Sequence, residues 1–498
     1  MSRINTNVGS LLAQRVLGAQ NSSLTKSLER LSTGLRINRG SDDPAGLIAS
    51  ENLRSEKTGI TAAINNAERA DQVINIAEGG LQEVNSLLLE MQSLVQSSAN
   101  DAGLSLEERE ANQLQIDSIL QTVDRIASTT SFQGSKLLNG SFDFTISGQS
   151  QAVTDFKVNA AKLAHDEQRK VQVLVTQSAQ HAGLFMSMNG SSIDLTDADS
   201  RLTIELAGTL GSREFTFASG TKLSAAAAQI NTYKDVTGIS AVASNSGLWI
   251  KSVSFGSNEF VSIDVIDDGG HDGSIVQLSG NNENGLSTTK TLLSQVTNSV
   301  RDAGQDVGAI INGIAATAEG RTARITADFL DVELELNTSG AQNLKAINAF
   351  TITGGGAVFN LGPNVDITNQ VSVGIGNVAS RYLGSLANGY LDELGSSRAG
   401  NMVNGDLAKA DRIVNDAISY VSSLRGRLGA FQKNVIGSTI NSLGVALENT
   451  SAAESAIRDT DFASQTAEMT RSQILVSAAT NVLAIANSQP QSVLQLLG

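Results

Sequence analysis

Apolar positions along this chain follow two rhythms. Towards both ends they recur every three or four residues, which lines one face of a helix, and through the middle many alternate with polar residues as strands do. The strongest run is Ile60, Ile64, Ala67, Ala70, Ile74, Ala77, Leu81, Val84, Leu88, Met91 and Val95. The steps are of four and three with a single three-three irregularity, and every position is apolar, as in a coiled-coil-like seam. It predicts one helix of more than about forty residues, against a mean of about 11–12 in globular proteins. Gly79 and Gly80 inside it mark a local bend or a close approach. Upstream, Ile4, Val8, Leu11, Leu12, Val16, Leu24, Leu28, Leu31 and Leu35 predict an amphipathic helix over residues 4–37. Gly34 weakens it and Asn38 to Gly40 read as its end, while Asp42 and Asp43 before Pro44 cap the start of the next helix. Residues 27–46 are thus a joint between two helical segments.

Ser105 with Glu108 three residues on is a capping box, opening a helix with Ile116, Leu120, Val123 and Ile126 or Ala127 on one face. FQGSKLLNG, residues 132–140, reads as a turn and residues 142–146 as a strand. From about residue 150 to 375 the character changes to Gly, Ser, Thr and alternation. Strands are predicted at 202–206, 214–217, 248–251, 260–265, 324–327, 332–336 and 350–353, with short helices at 223–230 and 287–300. A long helix returns over 407–457 through Ala410, Ile413, Ala417, Tyr420, Leu424, Leu428, Phe431 and Val435. The final stripe runs Phe462, Thr466, Met469, Gln473, Val476, Ala479, Leu483 and Ala486, with Val493 and Leu497 beyond Pro490. Ile474, Ala478, Val482 and Ile485 make a second apolar face on that helix. A helix apolar on two sides needs neighbours on both. Pairing of the two chain ends covers one side, so the rest implies contact with further copies. Contacts between different patches of identical subunits propagate as a helical filament unless the rotation closes.

Composition narrows the chemistry. The 498 residues suit about three domains. Aromatics make up 4% and there are 3 prolines, which favours long helix packing over one large globular core. A net charge of -15 without a basic cluster argues against nucleic acid. The absence of Cys excludes disulfides, thiol catalysis and thiolate metal sites. MSRINTNVGS lacks the basic and apolar regions of a cleavable signal peptide, and no apolar run is long enough to span a membrane. Of His165, His181 and His271, none is followed by Glu with a second His four residues on, so no zinc-protease site is expected, and His165 with Asp166 and Glu167 reads as polar surface. Asp264, Asp267, Asp268 and Asp272 around Gly269–Gly270 do not fit a calcium loop and read as a turn. Gly354 to Gly356, without a P-loop Lys or a following helix, read as a hairpin turn and not a phosphate cradle. No catalytic grouping, cofactor site or metal site is expected.

Two distant blocks carry a resemblance. LERLSTGLRIN followed by SDDPAGLIASENL resembles the N-terminal signature of bacterial flagellin, and residues 453–497, ending in PQSVLQLL, resemble its C-terminal segment. The match covers residues 1–145 and 400–498 in the family's order. Strand, turn, small helix and further strands around 202–265 resemble the small β modules inserted in some flagellins and hook-associated proteins, with a weaker echo from Ile311. The resemblance implies a mainly α fold, a long coiled-coil-like bundle of paired terminal segments, with an inserted β-rich or α+β region. It places residues 1–40 with 458–498 in an inner-tube helical domain. Residues 41–165 with 371–457 form a helical spoke with a β-hairpin element, and 166–370 one or two outer modules.

The implied function is self-assembly into the flagellar filament. The rivals are a hook–filament junction protein and a filament subunit with an adhesive central domain. The expected assembly interface comprises Leu11, Leu24, Leu28, Leu31, Leu35, Arg36, Asp42, Asp43, Ile74, Leu81, Leu88, Arg458, Asp461, Met469, Val476, Leu483, Val493 and Leu497. Charges at the joint, with Arg30, Arg39 and Asp459, are expected either to pair between subunits or to form a solvated face. Implied partners are further copies, an export chaperone, the cap protein and hook-associated proteins, with no nucleic acid and no membrane insertion. The implied location is the extracellular filament, reached by type III export without a cleaved signal. Sensing by a Toll-like receptor is expected to be weak. Leu88, Leu94, Ser98, Ala99 and Asn100 match the sensed pattern, but Glu90 stands where a basic residue is sensed and Gln115 where an acidic one is.

Overall fold

The computed structural model describes residues 6–100, 103–164, 167–197, 199–279 and 282–497. Three helices come first: α1 (Val8–Thr33), α2 (Pro44–Ser98) and α3 (Leu106–Thr129). Short helices α4 (Leu223–Thr232), α5 (Lys234–Thr237) and α6 (Thr338–Gln342) lie among strands. Helix α7 (Leu407–Ala430), a π-helical stretch Phe431–Gly437, α8 (Ser438–Arg458) and α9 (Phe462–Leu497) complete the chain. The chain divides into two compact units: residues 1–72, 360–369 and 430–498, and residues 73–359 and 370–429.

In the first unit α1 and α9 run antiparallel. Asn7 Nδ2 donates to the Ala486 carbonyl at 2.7 Å near one end, and Gln465 Nε2 donates to Ser27 Oγ at 2.9 Å near the other. Helix α1 stops at Gly34, earlier than the predicted residue 37. Gly34 takes φ 74°, where a side chain would be strained, and its N–H returns to the Arg30 carbonyl at 2.9 Å. The chain then pairs briefly in strand fashion: Arg36 N–H donates to the Arg458 carbonyl at 2.7 Å and Thr460 N–H to the Gly34 carbonyl at 2.9 Å. Asp42 closes the next turn by accepting the amides of Asn38 and Arg39 at 3.2 and 3.1 Å. Asp43 caps α2 by accepting the Gly46 amide at 2.9 Å. Gly46 is needed there, since a Cβ would lie 2.7 Å from Ile37 Cδ1. Lys57 meets Glu454 at 3.2 Å and Gln432 meets Asp71 at 2.8 Å, tying the start of α2 to α8 and the π-helical stretch.

In the second unit the seam residues Ile74, Ala77, Leu81, Val84, Leu88, Met91 and Val95 are all buried. Antiparallel pairing of α2 with α7 is fixed by Arg425–Glu78 at 2.8 Å and Gln92–Asn415 at 2.6 Å. The predicted capping box at Ser105 and Glu108 is present. Gly80 is a close approach, with a Cβ there only 2.8 Å from Leu138 Cδ1, and α2 runs through it unbroken.

The strands form two nested antiparallel modules in this unit. The outer one packs the sheet ordered Ile314–Ala315, Gly308–Ile311, Arg169–Gln177, Ala346–Gly355, Phe144–Ser147 on the sheet Thr317–Glu319, Thr322–Ala327, Leu330–Leu336, Val153–Ala161. The inner one packs the sheet Asn282–Leu292, Ser274–Ser279, His181–Ser187, Gly247–Phe255, Ile239–Ser244, with α4, on the sheet Val300–Ala303, Phe260–Asp267, Arg201–Gly208, Ser212–Ala218. All seven predicted strands lie within these sheets, and the predicted helix 223–230 is α4. The helix expected at 287–300 is instead the strand Asn282–Leu292 and a short 3₁₀ turn Leu293–Gln295. Thr288, Thr289 and Thr291 suit a strand, and pairing of Ile275 with Thr291 decides it. Gly354 to Gly356 make no hairpin. With φ 155°, 89° and 78° they carry the chain out of one sheet into the strand Ala357–Asn360 of another. Asp267 and Asp268 accept the amides of Gly269 and Gly270 at 3.0 and 3.1 Å, which is a turn.

Candidate functional site

The α1/α9 pair is built around small side chains. Among the described residues, α1 buries Ser10, Ala13 and Ser27, and α9 buries Ser472 and Ala479. The inward line on α9 is Gln465, Met469, Ser472, Val476, Ala479, Leu483 and Ala486, in four-three steps. Serine at 472 takes the place the apolar pattern assigned to Gln473, because small residues let the two backbones approach. The large apolar residues point elsewhere. Val8, Leu11, Leu12, Val16 and Leu28 of α1, with Phe462, Ile474, Leu475, Val482 and Ile485 of α9, are 41–64% exposed. Fully burying such a side chain is worth about 1.5–3 kcal/mol, so covering the remaining half of each releases on the order of 1 kcal/mol. Helix α8 buries none of its residues either.

The joint's charges are used inside the subunit. Lys26 Nζ lies 2.9 Å from Asp42, and this ammonium, with the Arg39 and Asn38 amides, holds the Asp42 carboxyl down at about 2. Arg36 donates to the Ile457 carbonyl at 2.6 Å, Arg458 pairs with Glu51 at 3.0 Å, and Arg39 with Glu29 at 3.1 Å. Asp461 caps α9 by accepting the Ala463 amide at 2.9 Å. Asp459 accepts the Ser455 hydroxyl at 2.6 Å.

Not every expected interface residue lies on a surface. Ile74, Leu81 and Leu88 are fully buried within the subunit. This corrects the expectation that the long seam meets a neighbour: its stripe is consumed by packing inside the chain. Leu11 and Leu28 are exposed, while Leu24, Leu31, Leu35, Met469, Val476 and Leu483 are half-buried. The side chains of Val493 and Leu497 lie outside the described residues, as do His165 and Asp166. Sequence reasoning left Leu12, Val16, Phe462, Ile474, Val482 and Ile485 out of the interface set. For Ile474, Val482 and Ile485 the signal was the second apolar face, off the pairing stripe, whereas Leu12, Val16 and Phe462 lay on the predicted stripes themselves. Of the residues in the sensed pattern, Leu88 and Ser98 are buried, whereas Glu90 and Gln115 are exposed.

Known proteins settle the family. Residues 4–143 match the model of the bacterial flagellin N-terminal helical region, residues 412–497 that of the C-terminal helical region, and residues 201–254 that of the flagellin hook IN motif. Flagellin D of Vibrio cholerae serotype O1 is 28% identical over 496 residues, 99% of each chain. The flagellin of Clostridium tyrobutyricum is 29% identical over 488 residues, 98% of this chain and 100% of that one. The chain belongs to the bacterial flagellins. This flagellin is therefore a structural subunit of the flagellar filament, with helical termini and a strand-rich centre as the pattern predicted. Flagellins are a structural protein family, self-assembling into filaments. The hook IN motif covers the strand–helix–strand stretch expected as a small β module. A solved flagellar hook associated protein-3 from Legionella pneumophila matches 81% of this chain and 97% of its own at 13% identity, with a TM-score of 0.28. Among the described residues no helix is long and apolar enough to cross a membrane.

Proposed function

We propose that the exposed apolar face of the α1/α9 pair is the surface on which successive copies of this flagellin stack. The carrying observation is that this pair buries serine and alanine while leaving ten large apolar side chains 41–64% exposed. Neighbours of the same kind supply the missing cover, and the pair gains much of its order on assembly. On this reading residues 1–40 and 458–498 form the inner tube, residues 41–165 and 371–457 the spoke, and residues 166–370 the solvent-facing modules. Within the interface set, Leu11, Leu28, Met469, Val476 and Leu483 act through this pair. Arg36, Asp42, Asp43, Arg458 and Asp461 hold the joint that presents it. The subunit acts by assembly and not by catalysis. It leaves the cell unfolded through the flagellar type III route without cleavage, meeting an export chaperone, the cap and the hook-associated proteins. Exposed Glu90 and Gln115 weaken Toll-like receptor sensing, since a wrong charge at a contact is costly.

The test is Val482→Asp with Ile485→Asp. Both positions face away from α1, so the purified monomer should melt as wild type, yet seeded elongation should fall at least tenfold, for the roughly 2 kcal/mol of burial lost. Elongation at the wild-type rate would remove the reading.

A further inference from the structure

A cleft of about 510 Å³ lies in the second unit between the strand Val153–Ala161, helix α7 and the loop carrying the short strands Gly384–Ser385 and Gly389–Tyr390. That volume is usual for a small-ligand site, typically about 300–1,000 Å³. Three of the chain's four tyrosines line it, Tyr382, Tyr390 and Tyr420, in a sequence that is 4% aromatic. Filament formation as argued above uses none of them.

The cleft is built rather than incidental. Asp416 accepts the Ser385 hydroxyl at 2.5 Å and the Asn388 amide at 2.8 Å, pinning the loop to α7. Arg427 donates to Asn159 and, at 3.0 Å, to the Gly374 carbonyl, fixing the floor. Gly376 must lack a side chain because the Tyr420 hydroxyl occupies the place a Cβ would take.

Several polar groups are left with unused valence. Arg427 Nε is buried with no partner among the described residues. The half-buried Tyr420 makes no phenol hydrogen bond among the described residues, and its desolvated surroundings with the Asp143 and Asp155 carboxylates push it up to about 12, so it stays a donor. Asp143 and Asp155 each spend one oxygen on the following backbone amide, both at 2.8 Å. No further side-chain hydrogen bond engages either carboxylate among the described residues, although the Arg427 charge favours the ionised Asp143.

These groups select the ligand by charge. An anion would face Asp143, Asp155 and Asp416. A cation would use those carboxylates but leave Arg427 Nε unpaired, and would compete with Lys157, whose Nζ is already 5.7 Å from the Tyr420 ring centroid. A ligand of closely spaced hydroxyls, each donor and acceptor, answers the carboxylates, the phenols and the guanidinium together. Its C–H faces suit the tyrosine rings. We propose that this cleft binds a short neutral saccharide, with Asp155, Tyr420 and Arg427 as hydrogen-bond partners and Tyr382 as the stacking wall.

The test is saturation-transfer NMR on the full chain. The probes are glucose, galactose, mannose, N-acetylglucosamine, N-acetylgalactosamine and lactose at millimolar concentration, with arginine amide and citrate as charged controls. At least one neutral sugar should bind and outcompete both controls. Asp155→Asn and Tyr420→Phe should each weaken it about tenfold, the effect of losing one hydrogen bond to a charged or buried group. Tyr382→Ala, on the exposed rim and safe for folding, should do the same, while seeded assembly stays unchanged. The proposal fails if no neutral sugar binds, if Tyr382→Ala and Asp155→Asn bind like wild type, or if arginine amide binds more tightly than every sugar.

Discussion

The α1/α9 pair and the β modules use apolar residues in opposite ways. In the strand Leu330–Leu336, alternate residues Leu330, Val332, Leu334 and Leu336 are fully buried, with Asp331, Glu333 and Glu335 between them. That strand finishes its core inside one chain. Over residues 462–489 of α9, by contrast, only Ser472 and Ala479 are buried. The two regions are similarly apolar by sequence, so hydrophobicity alone does not say where a residue is covered. What separates them is which residues of the inward line are fully buried: large branched side chains in the strand, but only serine and alanine in the helix pair, where Met469, Val476 and Leu483 stay half-covered. The first arrangement stabilises a monomer, and the second stores its driving force for contact with copies.

The sharpest break of this contrast comes from truncating one residue on each side. Leu334→Ala leaves a cavity in a closed core and should cost the monomer about 2–5 kcal/mol in denaturant unfolding. Val476→Ala, half-buried in the helix pair, should move that transition by less than about 1 kcal/mol while slowing seeded elongation. If the monomer loses as much stability from Val476→Ala as from Leu334→Ala, the helix pair is a finished core and the contrast is false.

Much of this was legible in the sequence, and the reasons are specific. The seam from Ile60 to Val95, the Ser105 capping box and the β-branched strands announce themselves because local spacing and burial agree. The fate of the seam was less visible. Ile74, Leu81 and Leu88 read equally well as an intersubunit stripe, because periodicity marks a covered face and not what covers it. The strand at 282–292 escaped because its short run resembles a helix turn until Ser274–Ser279 pairs with it. The tyrosine cleft was beyond reach: Asp143, Asp155, Tyr382 and Arg427 come from three distant stretches that only tertiary packing assembles.

The joint shows where the loosely held region stops. Asp43→Ala removes the cap of α2 and should cost about 1 kcal/mol of local stability. Faster amide exchange confined to residues 44–50 would place the boundary there. Loss of protection spreading through α1 and α9 would instead mean that the joint, and not the exposed apolar surface, governs the order of that pair.

The smallest effect concerns acid. Asp42 titrates near 3.8 when unfolded and at about 2 when folded, because Lys26 and two backbone amides favour its charged form. The folded state therefore binds fewer protons, and the contribution is whole above about pH 4 and disappears as the pH falls through about 2. Asp42→Asn keeps the turn's shape but removes the titration, so wild type and variant should differ in amide protection of residues 36–46 near pH 5 and converge near pH 2. Because the Lys26 side chain is 46% exposed, added salt should narrow the same gap. A gap independent of pH would assign the joint's order to hydrogen bonding alone and remove its charge from the account of how the helix pair is presented.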